Sequence, residues 1–132
     1  MTWVEVFAVF VVSHAVGDFL LQTEFQAVNK RGGLGVGGAR VARRALLAHT
    51  LSYTVAFVPA LAWVGGELGP GAALAVAAGI AVPHCVQDDG RLVAAYAQAV
   101  KHTEPQPGML MLAVDQSFHV VALFALAVAA AA

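Results

Sequence analysis

Charged side chains are scarce in this sequence of 132 residues, because Asp, Glu, Lys and Arg together make up only 11% of it. An average soluble protein contains about 25%. The formal net charge is −1, so the sequence lacks the basic surface that nucleic-acid binding requires. Cys85 is the single cysteine, which excludes an intrachain disulfide. Apolar residues make up 60% of the chain, and this composition predicts an integral membrane protein whose partner is the lipid bilayer.

Four apolar runs are each about as long as a bilayer is thick, since roughly 20 apolar helical residues cross the hydrocarbon layer. They predict transmembrane helices at residues 2–27, 42–64, 70–99 and 108–131. Pro83 is expected to kink the third helix. Residues 31–38, rich in glycine, and residues 102–108, which contain two prolines, are predicted loops. The predicted fold class is all-α, a polytopic membrane protein whose single domain is a four-transmembrane-helix bundle.

The basic residues indicate the orientation of this bundle. Five of them lie before Ala45, where the apolar part of the second helix begins, none lies between the second and third runs, and Arg91 and Lys101 precede the fourth. Because Lys and Arg are retained on the cytoplasmic side, we expect the basic segments in the cytoplasm and both termini outside. Glu5 precedes the first run without any Lys or Arg, which favours a retained helix over a signal peptide.

Polar residues interrupt each apolar run. His14, Asp18 and Gln22 are four residues apart, so they share one face of the first helix. A charged side chain at bilayer depth costs about 3 kcal/mol or more, and it usually faces protein or water and serves a function. The corresponding residues of the other runs are His49 and Tyr53 in the second, His84 and Asp88 in the third, and Asp115, Gln116 and His119 in the fourth.

Helical geometry predicts that these polar groups meet. At about 1.5 Å per residue, counted from the expected cytoplasmic ends, they lie roughly 6 to 18 Å deep on all four helices. For His84 and Asp88 this depth requires the third helix to continue to about Tyr96. The four helices are therefore expected to place their polar groups in the cytoplasmic half of the bundle.

Three interpretations of such a cluster remain open. Neutral imidazole and carboxylate are usual ligands of divalent ions such as zinc, and a bound ion generates hydroxide for hydrolysis. The same residue types form proton relays and ion paths in transporters. Each His–Asp pair could also lock helices together through hydrogen bonds, as in a structural or accessory subunit.

The metal site ranks first, and with it a metal-dependent hydrolase that acts at the cytoplasmic leaflet. His49 is predicted to be a ligand or the general base, and Asp88 shares the catalytic role. Gln22 and Gln116 are expected to orient the ligands through hydrogen bonds, and Tyr53 to hydrogen-bond the site. Zinc is the expected cofactor, with manganese and iron as alternatives. The predicted metal ligands are His14, Asp18, His84, Asp88, Asp115 and His119.

Several of these polar residues lie in sequence motifs that resemble those of a known protein family. The stretch from His14 to Gln22 (H-x-x-G-D-F-x-L-Q), followed by Asn29-Lys30, is similar to the opening motif of an uncharacterised bacterial membrane family, domain of unknown function 3307. His49 lies at the start of the second helix, as in that family. The segment from His84 to Arg91 resembles a family segment in which lysine is common at the last position. The closing D-Q-x-x-H from Asp115 to His119 is similar as well.

The resemblance covers nearly the whole chain and implies that the polar residues above belong to one site. It implies no activity, since the family has none established. It places the chain in a bacterial inner membrane. A more distant similarity connects the pattern with His/Asp-bearing membrane proteins described as metal-dependent hydrolases. Because four short helices bury little surface by themselves, a homodimer is also expected.

Overall fold

Helices make up most of the protein in a computed structural model, which describes residues 1–31, 38–106 and 108–132. No strand occurs in these ranges, which confirms the all-α fold class. The predicted glycine-rich loop lies largely at 32–37, outside the described residues. A π-helical segment, Val16–Leu20, follows the first helix directly. The described ranges contain seven α-helices, which are α1 (Trp3–Ala15), α2 (Glu24–Asn29), α3 (Gly38–Ala56), α4 (Val58–Leu68), α5 (Pro70–Asp88), α6 (Arg91–Ala99) and α7 (Met109–Ala130).

Three helical segments are long and apolar enough to cross a membrane, namely Trp3–Leu20, Pro70–Asp88 and Met109–Ala130. The helices α3 and α4 pass the same test only as a pair, because they are bent by 55° at the break between them. By length and composition, the described chain therefore has three such spans, or four if the bent pair counts as one.

The first predicted helix, 2–27, is divided in two. Beyond the π-helical segment a capping box starts α2, in which the Gln26 backbone N–H donates to Thr23 Oγ1 at 3.3 Å and the Thr23 N–H donates to Gln26 Oε1 at 2.8 Å. The pattern T-x-x-Q is the sequence signal for such a start. This new start lets α2 fold back against α3, where an uninterrupted helix would continue away from the bundle.

The second and third predicted helices are divided as well. The helix at 42–64 breaks at Phe57, just before Pro59, whose ring and missing N–H disfavour continuation of the preceding helix. The helix at 70–99 ends as α5 because Gly90 adopts a φ of 80°, a left-handed conformation that favours glycine. Residues 91–99 form the separate helix α6, so the third helix does not continue unbroken to Tyr96. Pro83 lies inside α5, which runs through it as one helix.

The long helices pack side by side, with α1 against α7 and α5 against α3, α4 and α7. At one end of the bundle the interior is an apolar cluster that includes Phe10, Phe57, Val64, Ile80 and Leu123. At the other end α1 and α5 finish, α3 and α7 begin, and the short helices α2 and α6 lie nearby. The polar residues of all these elements meet at that second end.

Candidate metal centre

Six buried side chains from four parts of the chain form two groups with closely spaced ligand atoms. The atoms of each group lie within 4.8 Å of one another. Asp88 belongs to both groups and therefore joins them. The first group contains Asp18, His49, His84 and Asp88, and the second contains Asp88, Asp115 and His119.

The two carboxylate oxygens of Asp88 have different surroundings. Its Oδ2 lies 2.7 Å from Lys30 Nζ, 3.0 Å from His49 Nε2 and 3.2 Å from His84 Nε2. Its Oδ1 is buried without a hydrogen-bond partner among the described residues and lies 3.5 Å from His119 Nε2. Oδ2 therefore accepts from the Lys30 ammonium group, whereas Oδ1 has no donor among the described residues.

His119 is held in one orientation by its own helix. Its Nδ1 donates a hydrogen bond to the Asp115 carbonyl oxygen at 2.8 Å, so in the neutral ring Nε2 carries a lone pair. That nitrogen is buried and has no hydrogen-bond partner in the described part of the chain. Two acceptors, Nε2 and Asp88 Oδ1, thus face each other in a buried position. Such an arrangement is unfavourable unless a proton or a metal ion lies between them.

Asp18 is placed by the π-helical segment, a kind of turn that occurs often at functional sites. His49 Nε2 donates to Asp18 Oδ1 at 3.2 Å and also lies near Asp88 Oδ2. The Gln116 amide donates to Asp18 Oδ2 at 3.2 Å. Both oxygens of Asp18 therefore have donors from other helices, and His49 bridges the carboxylates of Asp18 and Asp88.

His14 lies beside the two groups and outside them. Its Nδ1 is 3.0 Å from the Tyr53 hydroxyl, and its Nε2 donates to Gln116 Oε1 at 2.9 Å. Both ring nitrogens are thus engaged with neighbouring helices, and neither points to the carboxylates as a free ligand atom. In this geometry His14 holds Gln116 against Asp18 and belongs to neither ligand group, and its predicted role as a metal ligand stays a prediction.

Tyr53 is positioned by stacking as well as by hydrogen bonding. Its ring lies on the ring of His84, with the centroids 3.4 Å apart and the planes within 4°. A Cβ at Gly17 would approach Tyr53 Cδ2 to 2.6 Å. Only glycine therefore permits this close contact between the π-helical segment and Tyr53, and the contact in turn fixes the plane of the His84 ring.

We expect Gly17→Ala to lower the free energy of unfolding by about 1–3 kcal/mol, the usual cost of forcing extra volume into a packed interior. The added methyl group would displace Tyr53 and with it His84. Unfolding in detergent, followed by circular dichroism, measures the effect. Gly66→Ala is the matched control, since a Cβ at this exposed helical position meets nothing within 4 Å. Equal stability of the two variants would contradict the prediction.

Lys30 is a site residue that the sequence does not predict, because the positive-inside pattern places it in a cytoplasmic basic segment. Its side chain is buried, and its ammonium group contacts Asp88 Oδ2. With its amide oriented to satisfy both neighbours, Gln22 accepts from Lys30 Nζ at 2.6 Å and donates to the Asp18 carbonyl oxygen at 3.2 Å. Arg91, which follows the motif of α5, is instead 79% exposed and pairs with Asp89 at 3.1 Å.

A cavity of about 180 Å³ adjoins the cluster between the π-helical segment, α2 and α7. It contacts one carboxylate from each group, Asp18 from the first and Asp115 from the second. A small molecule in this cavity would therefore reach both groups. The remaining lining residues are Phe19, Gln22, Ala27, Lys30, Arg31, Leu112 and Gln116.

All ten residues singled out from the sequence lie in this cluster or in contact with it. Six form the two groups, and the other four contact them through hydrogen bonds or stacking. Their individual roles in metal binding or catalysis stay predictions. The four contacting residues are His14, Gln22, Tyr53 and Gln116.

A comparison with curated proteins found no match, and neither did a comparison with solved structures. A family model does match, and it spans residues 6–132, nearly the whole chain. The match agrees with the resemblance of the opening and closing motifs. The chain therefore belongs to the family described as protein of unknown function (DUF3307).

Proposed function

We propose that this protein is an integral membrane protein that binds a divalent metal ion and uses it for hydrolysis at the cytoplasmic leaflet. Zinc is the expected ion. One observation carries the proposal: His119 Nε2 and Asp88 Oδ1 are buried, lack hydrogen-bond partners among the described residues and lie 3.5 Å apart. An ion between them would turn a contact between two acceptors into two coordinate bonds. Asp115 belongs to the same group and supplies a third ligand.

The ligand chemistry supports a catalytic ion more than a structural one. Three protein ligands leave further coordination positions for water or substrate, as in catalytic zinc sites. A bound zinc ion supplies a hydroxide nucleophile at neutral pH. The hydrogen bond from His119 Nδ1 to a carbonyl oxygen is the kind of outer contact that orients a metal-binding histidine. The ring centroid of His84 lies 4.8 Å from that of His119. Its Nε2 is buried without a hydrogen-bond partner in the described ranges, so His84 would serve as a base that accepts a proton.

The distribution of charge supports the membrane orientation. All seven Lys and Arg residues lie in or next to the segments that connect α1 with α3 and α5 with α7. These segments are at the end of the bundle that holds the cluster, and the positive-inside rule assigns that end to the cytoplasm. Large apolar side chains such as Leu20, Leu74 and Met109 are exposed on the outer surface, where lipid would cover them.

The apolar end of the bundle favours a hydrolase over a transporter. A transport path needs access to the site from both faces in turn. Beyond Tyr53 the interior consists of the packed side chains of the apolar cluster, including Phe10, Phe57 and Ile80. The cavity beside the carboxylates lies at the opposite, polar end. Such a site is suited to a substrate that enters and leaves from one side.

Metal content tests this proposal directly. We expect protein purified without a polyhistidine tag and reconstituted with zinc to contain about one tightly bound ion per chain, since three histidine and carboxylate ligands suffice for a catalytic site. His119→Ala should lose it, and Asp115→Asn should weaken it. His102→Ala is the matched control, because His102 is exposed and lies away from the cluster. Mass spectrometry of the metals gives the stoichiometry.

Absence of bound metal in the wild type would contradict the proposal. If the wild type binds none of zinc, manganese and iron after reconstitution, the metal-dependent hydrolase is excluded. A protonated His119 Nε2 would then donate to Asp88 Oδ1. A proton-flux assay in liposomes would test whether the cluster conducts protons. If the wild type binds metal, the loaded protein is assayed against ester and phosphoester substrates with and without a chelator.

A further inference from the structure

The cavity beside the cluster combines cationic, hydrogen-bonding and apolar walls. Lys30 and Arg31 supply positive charge, Gln22 and Gln116 supply amide groups, and Phe19 supplies an exposed apolar ring. Its volume of about 180 Å³ is below the roughly 300–1,000 Å³ of pockets for drug-sized molecules. The cavity therefore has room for a small headgroup and leaves longer apolar chains outside.

Arg31 is the cation in this cavity with a free charge. Lys30 is already engaged by Asp88 and Gln22, whereas the described residues place no carboxylate in an ion pair with Arg31. The aliphatic part of Arg31 packs on Gly90, where an added Cβ would lie 3.3 Å from Arg31 Cγ. The left-handed turn at Gly90 thus supports the side chain beside the cavity. A guanidinium in this position is suited to paired hydrogen bonds with a phosphate or carboxylate.

The charge count indicates which anion fits. Three carboxylates, from Asp18, Asp88 and Asp115, stand against the two cations Lys30 and Arg31, so the site with neutral histidines has one negative charge. A bound divalent ion that still carries neutral water would reverse this to one positive charge, before the water loses its proton. Because net charge is costly in a site surrounded by lipid, a singly charged anion completes the site best. A phosphodiester carries one negative charge at neutral pH.

The apolar wall indicates the source of that phosphodiester. Phe19 and Leu112 line the cavity and are also exposed on the outer surface of the bundle. Leu20 and Leu21, next to Phe19, are exposed as well. A headgroup in the cavity would therefore leave its acyl chains along an apolar surface that faces the bilayer. A water-soluble phosphate would gain nothing from this surface.

We propose that the cavity binds the phosphodiester headgroup of a membrane lipid, with Arg31 on the phosphate, Phe19 and Leu112 against the acyl chains, and the metal centre beside the ester. This inference rests on the proposed function, since the carboxylates of Asp18 and Asp115 would repel a phosphate without the ion. It assigns the substrate class of the hydrolase as singly charged phospholipids.

Binding of a short-chain lipid to the metal-loaded protein tests the inference. The probe is dihexanoylphosphatidylglycerol, titrated calorimetrically into protein in an uncharged detergent. Glycerophosphoglycerol, a phosphodiester with the same single charge and no acyl chains, serves as the chain-free comparison. The wild type should bind the lipid in the metal-loaded form and lose this binding with chelator. Arg31→Gln should weaken it about tenfold or more, the effect of removing one charge-assisted hydrogen bond. Arg31→Lys should retain part of the affinity.

The controls separate the two proposals. Arg40→Gln removes an exposed arginine near the same end and should bind the lipid like the wild type. Metal content is measured in every variant and should stay constant. Equal lipid binding by Arg31→Gln and the wild type would overturn the inference and leave the metal site intact. Equal binding of glycerophosphoglycerol and the lipid would overturn the lipid assignment. A wild type without metal would overturn the proposed function and the inference with it.

Discussion

Asp88→Asn is expected to reduce bound metal from about one ion per chain to near zero, because the carboxylate that joins both ligand groups becomes a poorly coordinating amide. The same change leaves the Lys30 ammonium buried without a carboxylate partner. Breaking a buried ion pair in this way costs about 3–5 kcal/mol of stability. Metal analysis and detergent unfolding of the same preparations measure both effects.

The neighbouring aspartate provides the matched control. Asp89 pairs with Arg91, whose side chain is 79% exposed, and exposed pairs of this kind contribute only about 0–1 kcal/mol. Asp89→Asn should therefore keep the bound metal and lose little stability. If both substitutions reduce metal content equally, Asp88 has no special place in the site. If neither does, the ion binds elsewhere.

Much of this site could be predicted because helical periodicity fixes which polar residues share a face. The spacing of four residues between His84 and Asp88, and between Asp115 and His119, correctly directed both pairs into the bundle. Counting residues from the helix ends was less reliable, because the depths expected for His84 and Asp88 required a third helix that continues to Tyr96, whereas α5 ends at Asp88. Composition and the lengths of the apolar runs were also sufficient to predict the all-α fold class, because this prediction does not require the arrangement of the helices.

The partners within the site could not be predicted in the same way. Spacing along one helix favoured pairs within that helix, yet His14 and Asp18 lie 3.7 Å apart, and His119 Nδ1 lies 3.9 Å from Asp115 Oδ1. Of such pairs within one helix, only His84 and Asp88 are close, at 3.2 Å. Equally short contacts cross between helices, as from His49 to the carboxylates of Asp18 and Asp88 at 3.2 and 3.0 Å. These contacts form because α3 packs against α5 and the π-helical segment. No local sequence pattern predicts this packing.

The position of Lys30 depends on a break in the chain. As the end of a continuous helix, or as part of a basic segment, it would lie outside the cluster, which is how the sequence analysis treated it. The capping box at Thr23 and Gln26 instead starts a short helix that brings Lys30 back to Asp88. The T-x-x-Q capping signal is present in the sequence. It does not give the direction in which α2 folds back, and this direction brings Lys30 to Asp88.

Lys30→Met is expected to make the stability of the protein depend on metal. Lys30 and the proposed ion neutralise the same carboxylate, Asp88, from its two oxygens. In chelator the variant should lose about 3–5 kcal/mol of unfolding free energy, because Asp88 is then left buried without its cation. With zinc the ion supplies the missing charge, so most of this loss should be recovered. Binding to the folded state alone raises stability with ion concentration, and the rise should be larger in the variant than in the wild type.

Lys101→Met removes an exposed lysine outside the cluster and should leave stability unchanged with and without zinc. Thermal unfolding of the three proteins, each with chelator and with zinc, separates the effects in one experiment. A loss in Lys30→Met that zinc does not reduce would show that Lys30 acts independently of the ion. If zinc stabilises the variant more than the wild type, the ammonium group and the metal ion are partners at one buried carboxylate, and Lys30 belongs to the metal centre.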